Sequence, residues 1–252
     1  MGKLRFLLAL WMAKLSIPAL KITRHNGTDF PGALAIRICP DFLRYVGKPK
    51  TIVAVTGTNG KTTVSNMLTD ILEAEGVRVM SNRAGSNITS GVSTAFIRNC
   101  DLFGRVKKCD MAVLEVDERS ALRIYPHVRP NFILITNLFR DSIMRNAHPG
   151  YIADILTRGL PRESTLILNA DELISGSVAP ENTRVYYGID RMAGDVQECE
   201  NLLNDMRICP KCAGKLEYAY RRYHHVGRAL CQSCGFTYSH TEKGLRAYDG
   251  YV

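Results

Sequence analysis

The sequence lacks internal repeats and low-complexity tracts, which excludes repeat architectures and compositionally biased disorder. It also lacks an apolar run long enough to cross a bilayer, because the stretch from Phe6 to Ala13 is too short. No small-residue cleavage site follows that stretch, so it differs from a secretory signal peptide. Acidic residues are scarce in the first fifty positions, where Asp29 and Asp41 stand against nine Lys and Arg. This imbalance is typical of an anionic partner (phosphate, a membrane surface or nucleic acid), and a solvated basic face explains it equally well.

The composition is nevertheless that of a globular protein. The chain has 252 residues, is 46% hydrophobic and carries a net charge of +9, which fits one large domain or a domain with an added module. We predict a helix from Leu4 to Leu15 that packs on the domain or lies on a membrane surface. Eight cysteines include two C-x-x-C pairs, and the others are expected to be buried or free thiols of a reducing cytoplasm. These four scattered residues are Cys39, Cys100, Cys109 and Cys199.

The most informative stretch runs from Thr51 to Thr63, with the sequence TIVAVTGTNGKTT. Its first five residues are mostly apolar or β-branched and predict a buried strand, and a glycine-containing turn and a helix follow. In this arrangement the loop amides and the helix dipole face a polyphosphate, Lys61 reaches the β- and γ-phosphates, and the Thr62 hydroxyl binds Mg²⁺. The residues predicted to hold the nucleotide are Gly57, Thr58, Asn59, Gly60, Lys61, Thr62 and Thr63. The apolar residues predicted on one face of the helix are Val64, Met67, Leu68, Ile71 and Leu72.

Strand and helix patterns alternate along the rest of the chain. Further strands are predicted at 77–80, 111–116, 132–136, 165–168 and 184–187. Helices are predicted at 92–97 and 152–160, and a short apolar element at 33–38. Such alternation predicts an α/β fold with a mainly parallel sheet flanked by helices, in which the ligand lies beyond the carboxyl ends of the strands.

Polar side chains follow the predicted strands at that edge. Carboxylates at the end of a buried strand beside a phosphate loop usually bind the metal, and Glu115 is our first candidate for Mg²⁺ and Glu118 the second. Asp117 is expected on the opposite face, since neighbours alternate in a strand, and all three acids could instead cap a following helix. The other polar residues at strand ends are Asn137, Arg140, Asp141, Asn169 and Asp171.

Four cysteines form a second candidate site. Cys209 and Cys212 are separated by eighteen residues from Cys231 and Cys234. Two thiolate pairs on two turns give a closed tetrahedral sulfur site, so we predict a zinc ribbon in which Zn²⁺ is structural. Tyrosines alternate with arginines between the pairs, which indicates a small β-hairpin or, as an alternative, a nucleic-acid face.

The phosphate loop departs from the common pattern, which has four residues between its glycines. GTNGKTT resembles the Mur ligase and folylpolyglutamate synthetase superfamily. The segment from Asn137 to Asp141 resembles that superfamily's TNL-x-x-D, and Asn169 and Asp171 resemble its N-x-D, which contacts adenine and ribose. By this resemblance Arg140 stabilises charge that develops during phosphoryl transfer, and Asp141 is catalytic together with Lys61 and Glu115. Several members place a metal-binding His directly after that Asp, where this chain has Ser142, and His148 is expected to be a surface residue.

A ligase domain with a four-cysteine ribbon resembles the MurT family, the ligase subunits of lipid II isoglutaminyl synthase. The resemblance also rests on LEVDE at 114–118, NLFRD at 137–141 and LNAD at 168–171, and it covers the whole chain. It implies a cytoplasmic enzyme, peripheral at the inner face of the membrane, with a GatD-type glutaminase partner and lipid II as substrate. ATP, Mg²⁺ and ammonia would convert the α-carboxyl of the stem-peptide D-glutamate to an amide.

The resemblance also predicts the organisation of the chain. We expect an N-terminal helix and linker at 1–50, the ATP-binding domain at 51–204 and the ribbon at 205–252. Family members continue into a C-terminal ligase domain, so we expect this chain to hold nucleotide without completing the reaction alone. The alternatives are an amino-acid-adding Mur ligase, a folylpolyglutamate synthetase-like ligase, and a non-catalytic module that binds nucleic acid through its ribbon, although no nucleic-acid partner is expected.

Overall fold

The chain forms a six-stranded sheet with flanking helices and a separate two-stranded hairpin. The computed structural model describes residues 2–22, 28–107, 109–139, 149–198 and 206–237. Its helices are α1 (Gly2–Ile22), α2 (Phe30–Ile38), α3 (Phe42–Tyr45), α4 (Lys61–Ala74), α5 (Thr89–Arg98), α6 (Ala121–Ile124), α7 (Pro149–Gly159) and α8 (Leu173–Gly176). Its strands are β1 (Thr51–Thr56), β2 (Val79–Ser81), β3 (Met111–Glu115), β4 (Phe132–Ile135), β5 (Thr165–Asn169), β6 (Arg184–Tyr187), β7 (Leu216–Tyr223) and β8 (Val226–Cys231).

The large sheet has the strand order β2-β3-β1-β4-β5-β6, and every neighbouring pair is parallel. Strand β1 lies inside it, with Thr51 opposite Met111 of β3 and Val53 opposite Phe132 of β4. Residues 52–56 are all buried, because helices cover both faces of a parallel sheet. The predicted α/β class is confirmed. The phosphate loop follows β1, and β3 and β4 are the strands on either side of β1.

The two faces of the sheet have different cores, since side chains alternate along each strand. Ile52 and Ala54 belong to the larger core, which also contains Phe6 of α1 and Phe96 of α5. Residues Val53, Val55 and Val113 form the smaller core against α4. The helices α1, α2 and α3 that precede the sheet in the chain therefore share the larger core with it.

The prediction for the buried face of α4 is wrong in part. Val64, Leu68 and Leu72 pack on the smaller core, whereas the Met67 and Ile71 side chains are 57% and 59% exposed. A stripe of residues at i, i+4 and i+8 suffices to cover the narrow valine surface of β1 and β3. Met67 and Ile71 lie outside that stripe and are exposed, although both side chains are apolar.

Element boundaries differ from the sequence expectations mainly in the helices. Helix α1 extends to Ile22 and contains Pro18, and the short apolar element at 33–38 lies within helix α2. The four-residue helices α3, α6 and α8 were not predicted, because four residues show too little periodicity to detect. No helix among the described residues is both long and apolar enough to cross a membrane.

Helix α1 packs its buried side on the domain. Phe6, Ala9, Leu10 and Ala13 are buried in the larger core, and the Phe6 ring lies 5.2 Å from that of Phe42 between centroids. The prediction that this helix packs on the domain agrees with these contacts.

Candidate functional site

The phosphate loop is a tight connection whose two glycines have left-handed backbones. Gly57 has a φ of +125° and Gly60 a φ of +80°, conformations that favour glycine. A Cβ atom on Gly57 would lie 2.3 Å from Thr136 Oγ1 and 2.8 Å from the Asn137 carbonyl oxygen, whereas nothing lies within 4 Å of one on Gly60. The loop thus passes close to the end of β4 at Gly57 and is open on the side of Gly60, where α4 begins.

Lys61 is folded over this loop at the first position of α4. Its ammonium group donates to the carbonyl oxygens of Gly57 and Thr58, the latter at 3.0 Å, and lies 3.4 Å from Glu118 Oε1. Glu118 is buried, and desolvation raises the pKa of its carboxyl while the Lys61 charge lowers it. The structure therefore brings together two of the predicted residues, with the lysine positioned by three oxygens at the mouth of the loop.

Glu115 lies at the end of β3 beside Thr62. The Thr62 hydroxyl donates to Glu115 Oε1 at 3.1 Å, and the Asn87 amide donates to the same oxygen at 3.0 Å. A hydroxyl and a carboxylate within one hydrogen bond of each other are a suitable pair of oxygen ligands for Mg²⁺. Thr62 and Glu115, two of the three residues predicted to hold magnesium, are thus adjacent, while the third, Glu118, contacts Lys61.

Asn82 fixes the strand end that carries Glu115, and sequence reasoning did not single it out. Its side chain accepts from the Glu115 backbone N–H at 2.8 Å and donates to the Glu115 carbonyl at 2.9 Å. The same amide donates to the Ser86 carbonyl at 3.0 Å. Asn82 and Asn87 both lie in the polar loop after β2. Their role could be predicted only from the pairing of β2 with β3, which brings this loop to Glu115.

Asp117 is engaged elsewhere. Its carboxylate accepts from the backbone N–H groups of Arg119 and Ser120 at 3.1 and 3.2 Å, next to α6. Its own N–H donates to the Asn87 carbonyl at 2.8 Å. Asp117 therefore closes a turn just before α6, whose N-cap Ser120 makes no side-chain capping bond. Glu115 and Glu118 instead contact Thr62 and Lys61.

The segment after β4 clamps the phosphate loop. Asn137 exchanges two hydrogen bonds with the backbone of Asn59, accepting at 3.0 Å and donating at 3.1 Å. Thr58 is bound in the same way, since its N–H donates to the Asn137 carbonyl at 2.8 Å and its hydroxyl accepts from the Phe139 N–H at 2.9 Å. Asn137 thus holds the glycine loop in place.

Several predicted residues lie outside the described part of the chain. Arg140 and Asp141 belong to the range 140–148, together with Ser142 and His148, and Cys199 lies in the range 199–205. Their predicted roles stay predictions.

The end of β5 carries Asn169 and Asp171, which have different surroundings. Asn169 accepts from the Asp171 N–H at 3.0 Å and donates weakly to the Thr136 carbonyl at 3.4 Å. The Asp171 carboxylate is buried, accepting from the Ile189 N–H at 2.9 Å and from the Tyr220 hydroxyl at 3.4 Å. Burial, and next the Asp171 charge, raise the pKa of Tyr220 to about 12. Asp171 thus joins β5 to the hairpin, while Asn169 stays at the strand edge.

The four predicted zinc ligands converge. The Sγ atoms of Cys209, Cys212, Cys231 and Cys234 all lie within 4.8 Å of one another. Cys209 lies 3.8 Å from Cys234 and Cys212 lies 3.5 Å from Cys231, Sγ to Sγ. A tetrahedral zinc with bonds of about 2.3 Å separates its sulfurs by about 3.8 Å, so these residues fit the ion. The Lys211 N–H donates to the Cys209 sulfur, an orientation that stabilises a thiolate.

The far end of the β7–β8 hairpin docks at the carboxyl ends of β4 and β5. His225, in the turn, is buried, and its Nε2 lies 3.0 Å from Glu172 Oε1. The same Glu172 carboxylate accepts from the N–H groups of Leu138, Ile174 and Ser175 at 3.2, 2.8 and 2.8 Å. The Phe139 ring packs against His225, with centroids 4.5 Å apart. One buried carboxylate therefore connects the ribbon to the segment that clamps the phosphate loop.

Comparisons with known proteins agree with this geometry. Residues 55–205 match the Mur ligase middle domain. The chain is 32% identical to "Lipid II isoglutaminyl synthase (glutamine-hydrolyzing) subunit MurT" of Staphylococcus aureus strain COL over 244 residues, which is 96% of this chain and 54% of that protein. It is 33% identical to the protein of the same name from Streptococcus pneumoniae, over 83% of this chain and 46% of that protein.

Among solved structures, MurF from Acinetobacter baumannii aligns with a TM-score of 0.47 and 19% identity, over 61% of this chain and 34% of that one. The chain spans about half the length of the curated relatives it matches. The middle-domain match covers more than half of this chain and contains the phosphate loop from Val55, the acidic residues after β3 and the strand ends of β4 and β5. The chain therefore belongs to the Mur ligase family.

Proposed function

We propose that this protein is the ligase subunit of a lipid II isoglutaminyl synthase, which amidates the α-carboxyl of the stem-peptide D-glutamate with ATP. The observation that carries the proposal is the pairing of Lys61 with Glu118 and of Thr62 with Glu115 around one glycine loop. A polyphosphate seated there meets loop amides, a helix N-terminus and a lysine, all of which favour negative charge. The similarity to the MurT subunits and the four-cysteine cluster support the choice of substrate class.

The chain's own residues have distinct tasks in this proposal. Lys61 leaves its loop carbonyls and neutralises charge on the β- and γ-phosphates. Thr62 and Glu115, with Glu118 as the second acidic candidate, would hold Mg²⁺, which would supply Lewis-acid charge at those phosphates. Glu118 keeps the lysine positioned, and Asn137 and Asn169 lie at the nucleoside end. Gly57, Asn59 and Gly60 let the backbone approach the phosphates. The remaining residues predicted to contact the nucleotide are Thr58, Thr63 and Asp171. The Asp171 carboxylate accepts from the Tyr220 hydroxyl of the hairpin, so its contribution would depend on the hairpin being docked.

The reaction needs two displacements. A carboxylate oxygen of D-glutamate attacks the γ-phosphorus, the bond to the β–γ bridging oxygen breaks, and ADP leaves. Ammonia then attacks the acyl carbon, phosphate leaves with the C–O bonding pair, and the nitrogen loses a proton to give the amide. Arg140 and Asp141 are proposed to act on the transferring phosphoryl group. A GatD-type glutaminase would supply the ammonia, and the protein would work in the cytoplasm, peripheral at the inner face of the membrane. Zn²⁺ in the ribbon would be structural.

Nucleotide binding is tested first, with the purified chain. Lys61→Ala removes a charged donor to the phosphates, a contact worth about 1.5–3 kcal/mol. We expect ATP affinity in the presence of Mg²⁺ to fall by at least about tenfold, measured by calorimetry. Lys50→Ala, at an exposed lysine just before β1, is the matched control and should bind like the unmodified chain. Equal affinity for both variants would show that the loop does not hold the phosphates.

The reaction is tested in the cell, where the protein works in its natural context. With Lys61→Ala introduced into the native gene, mass spectrometry of the cell-wall stem peptides should show D-glutamate in place of D-isoglutamine. Stem peptides that stay amidated would refute the proposed reaction. Truncated stem peptides with intact amidation would instead identify an amino-acid-adding ligase. Lys50→Ala again serves as the control.

A further inference from the structure

The outer side of α1 carries large apolar side chains that no described part of the chain covers. Leu4 and Leu15 are 76% and 71% exposed, and the residues between them on this side are Leu8, Trp11 and Met12, all exposed. The spacing i, i+4, i+7, i+8 and i+11 places these five on one face, opposite the buried face of Phe6, Leu10 and Ala13. We call these five residues the α1 stripe. Single exposed apolar residues are ordinary, but a contiguous patch marks an interaction site.

A loop extends the stripe. The Trp11 indole N–H donates to the Leu102 carbonyl at 2.8 Å, and the neighbouring Leu102 and Phe103 side chains are 60% and 66% exposed. The Asp101 carboxylate accepts from the N–H groups of Phe103 and Arg105, both at 2.8 Å, which fixes this turn. The loop therefore presents two more apolar side chains, held in place next to Trp11.

The charges around this surface are mostly basic, with Asp101 in the loop and Asp41 near Arg5 as acidic neighbours. Helix α1 contains Lys3, Arg5, Lys14 and Lys21 and no acidic residue. Lys14 donates to the Ile97 and Cys100 carbonyls and Arg5 to the Ile38 carbonyl, whereas Lys3 is exposed to solvent. In the loop, the exposed Arg105 lies over the Phe103 ring at 5.9 Å, while the Asp101 carboxylate is turned to backbone amides.

We propose that the α1 stripe, with Leu102 and Phe103, docks on an anionic lipid bilayer surface. Leucine, methionine and phenylalanine side chains would enter the acyl boundary, Trp11 would lie at the head-group level, and the cations would face anionic lipids. A helix that lies in the interface needs an exposed apolar side with basic neighbours, and it need not be able to span the bilayer. The inference rests on the proposed function for its biological role, because lipid II is a membrane lipid, but the surface itself is tested separately.

Trp11 is the one tryptophan of the sequence, so its fluorescence reports on this surface directly. The full chain is mixed with vesicles of phosphatidylglycerol and phosphatidylcholine, and with vesicles of phosphatidylcholine alone. We expect sedimentation with the anionic vesicles and a blue shift of the emission, both weakened by salt, and neither effect with phosphatidylcholine alone. Absence of binding to the anionic vesicles would overturn the proposal. Emission that is already blue-shifted and unchanged by vesicles would show that a protein surface covers the stripe, and would also overturn it.

The double variant Leu8→Asn, Leu15→Asn tests the stripe without touching the core. We expect its affinity for anionic vesicles to fall by at least about tenfold, because two apolar side chains lose their burial in lipid. The matched control is Met67→Asn, Ile71→Asn, since these α4 side chains are also exposed and apolar but lie on another helix. Equal loss in both variants would overturn the assignment to α1. ATP binding is measured on every variant, so failure of the membrane proposal and failure of the nucleotide proposal are distinguishable.

Discussion

Gly57 and Gly60 have similar backbone requirements, but the space around them differs, so the same substitution should have different effects. Both have positive φ, so alanine at either position costs about 1–2 kcal/mol in backbone strain. Gly57→Ala adds a collision with the Thr136 hydroxyl and the Asn137 carbonyl, whereas Gly60→Ala points into open space. We expect Gly57→Ala to abolish ATP binding and to lower the melting temperature more than Gly60→Ala does. Calorimetry and thermal unfolding of the pair measure this difference, and equal effects would contradict the close approach at Gly57.

Sequence reasoning predicts the residues whose chemistry is intrinsic to a motif. Lys61 and Thr62 follow from the loop, and Glu115 follows from its place after a strand. Asn82 could not be found in this way, because its role depends on β2 lying next to β3, a neighbour relation that no local pattern encodes. The burial of Asp171 under the hairpin likewise depends on tertiary structure. No local pattern predicts the contact of its carboxylate with the Tyr220 hydroxyl, so the sequence predicts only a nucleotide contact for this residue.

At the scale of elements, Glu172 connects α8, the segment after β4 and the hairpin turn. Glu172→Ala leaves three buried N–H groups and His225 without their acceptor. Each buried unsatisfied group costs about 1–3 kcal/mol, so we expect destabilisation of at least about 3 kcal/mol in urea unfolding. Glu181→Ala, at an exposed glutamate after the same helix, should change stability by less than about 0.5 kcal/mol. Similar values for the two variants would refute the role of the buried carboxylate.

Zinc removal tests the connection from the other end of the hairpin. Elemental analysis should find one Zn²⁺ per chain. After chelation, hydrogen exchange should rise across 206–237 because the four thiolates lose the ion that joins them. We also expect faster exchange at 137–139 and 172–175, since His225 and Phe139 hold the turn against those residues. Increased exchange confined to the cysteine end would show that the docked turn keeps its place without the metal.

The elements that sequence predicted well are those with strong local patterns. Most strands of the large sheet are short runs rich in apolar or β-branched residues, and β6, at the edge, is half exposed but rich in tyrosine and valine. All six strands are therefore predicted within about two residues. The exposed Met67 and Ile71 of α4 could not be told from buried residues, because an apolar side chain looks the same in sequence wherever it lies. For the same reason the sequence does not decide whether helix α1 packs on the domain or lies on a membrane surface, because both of its sides are apolar.

At the scale of the whole molecule, α1 shares the larger core with the sheet. Leu10→Ala removes a fully buried side chain and should destabilise the domain by about 2–5 kcal/mol. Leu8→Ala, two residues earlier on the exposed side, should have an effect below about 0.5 kcal/mol. Denaturant unfolding followed by far-ultraviolet circular dichroism measures both. An independent early transition for α1 in the unmodified chain would show that residues 1–50 form a separate unit.

The position of β1 inside a parallel sheet has a consequence for synthesis on the ribosome. Thr51 pairs with Met111 and Val53 with Phe132, so the partners of β1 are encoded about 60 and 80 residues downstream. At about 5–20 residues per second, β1 waits about 3–12 s for its first neighbour, as an apolar strand with two open edges. The clamp at 137–139 is made later still. A nucleotide held by Glu115 and the clamp at 137–139 would therefore stabilise the nascent chain only after residues 111–139 have emerged.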